Sequence, residues 1–174
     1  MTRQVATFGV LLLMSWVVML TTHELGHIVG GWLGGAVLLD YELMPWRLPH
    51  SLHSPDPHPR LTLWAGPLLG VLVPTLLAFA IRHPYARFIA NFCLLANGTY
   101  LALAWLSNDR LLDTPRMLAA GTSPALILLF CAVTIPLGYI RFRNDCIRVL
   151  GRDPSAPKAN EATGSRPPPD QTHS

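Results

Sequence analysis

The run VATFGVLLLMSWVVML, Val5 to Leu20, contains no charged residue, and it continues through TTHELGHIVGGWL to Leu33 without a helix breaker. A helix needs about 20 predominantly apolar residues to cross a bilayer, and Val5 to Leu33 satisfies that length. Arg3 resembles the basic start of a secretory signal, but no small-x-small cleavage site follows, so the segment reads as a retained span that ends at Gly34-Gly35. Three more apolar runs follow: Leu61 to Ile81, about Tyr85 to Ser107, and about Ser123 to Ile140. Pro136 is expected to kink the last of these, which neighbouring helices can tolerate.

Composition supports the same reading. Of 174 residues, 51% are hydrophobic and only 13% charged, against roughly a quarter charged in soluble domains. The expected fold is an all-α integral membrane protein over residues 1–150, multi-pass, with about four transmembrane helices embedded in a lipid bilayer and a cell membrane as its location. Residues 151–174 hold five of the 16 prolines and no hydrophobic residue larger than alanine, so they are expected to form a disordered polar tail.

The connections differ in kind. Residues 40–60 carry Pro45, Pro49, Pro55, Pro57 and Pro59, which excludes a helix there, while Val37 to Met44 has the make-up of a short strand. Residues 82–87 form a tight basic turn. Residues 108–122 read as a membrane-edge segment with a short helix. Four spans bring both ends of the spanning region to one side. That side carries Arg3, Arg82, Arg87, Arg141, Arg143, Arg148 and Arg152, and the other carries Arg47, Arg60, Arg110 and Arg116. The bias favours the first side as cytoplasmic. The net charge of +3 is thereby a topology signal, and without an aromatic-interleaved basic stripe no nucleic-acid partner is implied. Cys93, Cys131 and Cys146 form no Cys-x-x-Cys pair, which argues against a thiolate zinc site or a disulfide framework.

One polar cluster interrupts the first span, His23-Glu24-Leu25-Gly26-His27. Residues i and i+4 share a helix face, so both imidazoles of a His-Glu-x-x-His motif can grip one zinc ion. Glu24 then lies beside the metal, placed to take a proton from zinc-bound water whose pKa the ion lowers toward about 7. A charged residue at a span centre costs about 2.5–3.5 kcal/mol on insertion scales, so an acid there needs a compensating partner. Haem is a poorer reading, because one haem draws ligands from opposite faces. A catalytic zinc site uses three protein ligands. Asp109, Asp113, His50, His53 and His58 are the candidates for the third, all on the side toward which His27 points.

These residues resemble the site-2-protease group of intramembrane zinc metalloproteases. His23-Glu24-Leu25-Gly26-His27 matches that family's zinc motif. Ala65-Gly66-Pro67-Leu68-Leu69-Gly70 resembles its Gly-Pro motif, with Gly70 where the family usually carries Asn. Asn108 to Leu112-Asp113-Thr114 resembles its Asn…Leu-Asp-Gly motif, with Thr114 in place of Gly. The resemblance implies His23, His27 and Asp113 as zinc ligands and Glu24 as the catalytic acid/base. It implies hydrolysis of peptide bonds in or near the transmembrane segments of a membrane-protein substrate, and an edge strand around Tyr41-Glu42-Leu43 that pairs with the unwound substrate. It also places the zinc nearer the cytoplasm, opposite to the arginine bias. The alternative is a non-proteolytic membrane metal-binding or regulatory protein that retains the fold, and the intact Glu24 argues against it.

Overall fold

Each apolar run forms one long helix. The computed structural model describes residues 2–47, 49–107 and 109–151. In chain order its elements are α1 (Thr2–Leu33), β1 (Leu38–Glu42), β2 (His50–His53), α2 (Pro59–Ile81), α3 (Pro84–Ser107), α4 (Asp113–Ala119) and α5 (Pro124–Leu150). Among the described residues, α1, α2, α3 and α5 are long and apolar enough to cross a membrane. The chain is a multi-pass membrane protein, and the expected all-α class with a short β-element in its first loop is observed. The tail expected over 151–174 lies, beyond Gly151, outside the described residues.

Helix starts follow proline. Pro59, Pro84 and Pro124 each open a helix, where the missing N–H costs nothing and the fixed φ suits the first turn. The proline-rich segment therefore stays non-helical only as far as His58. At the other end of α2, Arg82 takes a left-handed conformation (φ 53°) and its N–H caps the Ala78 carbonyl. That turn brings α3 back beside α2.

Two boundaries differ from the sequence expectation. α5 does not stop at Ile140 but runs ten residues further to Leu150. Its 27 residues span about 40 Å at 1.5 Å each, longer than the roughly 30 Å hydrocarbon layer. Apolarity marks where the bilayer ends, not where the helix ends, and Arg148 suits the negative end of the helix dipole. The second difference is β2, which pairs antiparallel with β1 through Asp40–Leu52, Tyr41–Ser51 and Glu42–His50. The Met44 N–H donates to Glu42 Oε1 at 3.0 Å and Arg47 donates to Oε2 at 3.1 Å, bracing the turn. The Met44 amide, with Arg47, holds the Glu42 carboxyl below its ordinary range.

Lipid tails are as apolar as leucine, so helices in a bilayer associate by close packing and polar contacts. Leu13, Leu76, Leu103 and Leu128 are exposed accordingly on the outer faces. Inside, Leu63, Leu101, Met117, Ile127 and Cys131 form a buried cluster that joins α2, α3, α4 and α5. α1 lies against α2 with no room between them: a Cβ on Gly26 would overlap the Ala65 carbonyl oxygen, and one on Gly30 would overlap the Ala65 side chain. Cys93, Cys131 and Cys146 are unpaired.

Candidate metal centre

His23 and His27 stand one turn apart on the buried face of α1, with their Nε2 atoms 3.1 Å apart. Asp113 reaches them from α4. Leu112 is extended at the helix N-cap, so Asp113 is the first helical residue. Thr114 Oγ1 donates to the Leu101 carbonyl at 2.7 Å and fastens this turn to α3. Asp113 Oδ2 then lies 2.8 Å from His23 Nε2 and 3.2 Å from His27 Nε2. All three residues are buried, and they are the one group of potential metal ligands that converges among the described residues.

The outer hydrogen bonds decide what those atoms offer. Asn97 on α3 donates its Nδ2 to the Cys93 carbonyl at 2.9 Å. Its Oδ1 is thus the acceptor for His23 Nδ1, 2.7 Å away. His27 Nδ1 donates to the Thr62 carbonyl of α2 at 2.9 Å. A neutral imidazole that donates from Nδ1 keeps a lone pair on Nε2. With those tautomers, two nitrogen lone pairs and a carboxylate oxygen face one another, a donor set that could hold a cation.

The donor set fits zinc. Ligand atoms 2.0–2.1 Å from a tetrahedral ion lie about 3.3 Å apart, close to the separations of 2.8, 3.1 and 3.2 Å found here. Outer partners that set tautomer and ring direction are a regular part of metal sites.

α2 is shaped to admit these groups. A Cβ on Gly66 would overlap the His27 ring, and one on Gly70 would come 2.6 Å from Asn97 Oδ1. These glycines are four residues apart and share a face. Asn97 from the neighbouring helix occupies the space above Gly70.

Glu24 is half-buried, and Ser51 Oγ of β2 donates to its Oε2 at 3.3 Å. The hairpin thus rests on the acid next to the ligands. The other candidates lie apart from the centre. Asp109 is exposed and accepts a bond from the Leu111 N–H at 3.0 Å within its own loop. His50 pairs with Asp40 at 3.3 Å, and His58 is exposed. His53 packs on Gly31 with both ring nitrogens buried; burial, with His27 and Arg116, pushes its imidazole below the ordinary value despite Asp56. Asn108 lies outside the described residues. Sequence reasoning missed Thr62 and Ser51, whose roles depend on a backbone carbonyl and on a strand too short to recognise. No family model matches the chain, and neither a curated protein nor a solved structure matches it.

Proposed function

We propose that the protein is a zinc-dependent intramembrane metalloendopeptidase of a cell membrane, cutting peptide bonds in or beside the spans of membrane-protein substrates. The observation that carries this reading is the convergence of His23, His27 and Asp113 with both Nδ1 protons committed elsewhere, next to a carboxylate, Glu24, that is not part of the ligand set. His23, His27 and Asp113 would hold the ion, and a bound zinc supplies Lewis acidity toward a carbonyl and toward water.

The remaining work falls to the chain itself. Glu24 accepts the proton of the attacking water and returns it to the departing amine. Ser51 limits the directions its carboxylate can take. β1 pairs on one side only within the two-stranded sheet, so its other edge offers amides and carbonyls to an extended peptide. A helical substrate shields its own peptide bonds and has to unwind before it can use that edge.

The test is Glu24→Gln in purified protein with a membrane-peptide substrate. Cleavage should fall by at least about 100-fold, as expected for loss of a general acid/base, while zinc content stays unchanged. Unchanged cleavage would overturn the mechanism. Zinc retention by wild-type protein that cleaves no membrane peptide would make it a metal-binding protein instead.

A further inference from the structure

At the opposite end of the bundle from the metal centre, α2, α3 and α5 enclose a cleft of about 390 Å³, within the roughly 300–1,000 Å³ of small-ligand pockets. Its two halves differ in chemistry. One wall is formed by Leu72, Phe79 and Leu137, all substantially exposed on the outer helix faces, so the cleft is open sideways. Its other part is lined by Arg87, Arg141 and Arg148 together with the buried Asp145.

Asp145 does not cancel this positive charge. Its Oδ2 accepts from Asn91 Nδ2 at 2.6 Å, and its Oδ1 pairs with Arg148 at 3.3 Å. Arg87 and Arg141 form no ion pair with any described residue. Two guanidinium groups without an ion-pair partner among the described residues thus line one end of an apolar slot. Guanidinium matches phosphate oxygens in geometry as well as charge, and basic pockets between membrane helices take anionic headgroups.

We propose that this cleft is a binding site for one anionic glycerophospholipid, with its phosphate held between Arg87 and Arg141 and an acyl chain along Leu72, Phe79 and Leu137. Asn91 and Asp145 are positioning residues that keep Arg148 at the rim. The proposal does not rest on the metal or on proteolysis.

The experiment uses the full chain in vesicles of mixed phosphatidylglycerol and phosphatidylcholine, followed by extraction and native mass spectrometry of retained lipid. Wild-type protein should retain phosphatidylglycerol in preference to phosphatidylcholine. Removing positive charge near the surface should cost about fivefold per arginine, so Arg87→Gln with Arg141→Gln should abolish most of the preference. Arg143→Gln, also exposed on α5 but outside the cleft, should leave it intact. The proposal is overturned if the double variant keeps the preference, or if Arg143→Gln loses as much, which would indicate diffuse charge attraction. It is also overturned if millimolar inorganic phosphate displaces the lipid, since the site would then be one for free phosphate.

Discussion

At the scale of single residues, the centre depends on which atoms have already spent their protons. Asn97 holds His23 by its Nδ1 and so directs the other nitrogen toward Asp113. Asn97→Leu should weaken zinc binding about 10- to 100-fold, the usual effect of losing such an outer partner, while Asn97→Asp keeps an acceptor and should retain most of the affinity; competition against a chelating dye measures both. Gly70→Ala should act in the same direction as Asn97→Leu, because its Cβ takes the space of Asn97 Oδ1. Asp113→Ala should empty the site of zinc and Asp109→Ala should leave it filled, as read by metal analysis of the purified protein. The two histidines were legible in the sequence because i, i+4 spacing places them on one face regardless of the rest of the fold. The choice between Asp113 and Asp109 was not, since both lie in one connecting segment and only the start of α4 at Leu112-Asp113 turns one of them inward.

At the scale of elements, the spans were legible because twenty apolar residues in a row admit few alternatives. The far end of α5 was not, since a polar helix beyond the bilayer has no hydropathy signature. β2 was not either: four residues, His50–His53, gain strand geometry only by pairing with β1. The close approach of α1 and α2 yields a prediction of its own. Gly26→Val forces a side chain onto the Ala65 carbonyl, and overpacking of this kind costs about 1–3 kcal/mol. Thermal unfolding in detergent should show a lowered midpoint. Gly9→Val on the same helix meets nothing within 4 Å and should leave the midpoint unchanged.

For the whole molecule, His23, His27 and Asp113 join α1 to α4 across the bundle, so the proposed metal would also act as a structural clamp. At zinc concentrations a hundred times Kd, binding adds about 2.7 kcal/mol, which for a chain of this size is roughly 5–10 °C in midpoint. A chelator should remove that increment and zinc should restore it, while Asp113→Ala protein should not respond to either. The same long-range closure has a consequence for biosynthesis. His27 and Asp113 are 86 residues apart, and a ribosome adding about 5–20 residues per second takes about 4–17 s to cover that distance. During that interval α1 is already in the translocon or the lipid with two imidazoles and an acid awaiting their partner. The uncharged stretch from Val5 to Leu20 is what lets the nascent helix enter the bilayer before its polar end has anything to bind.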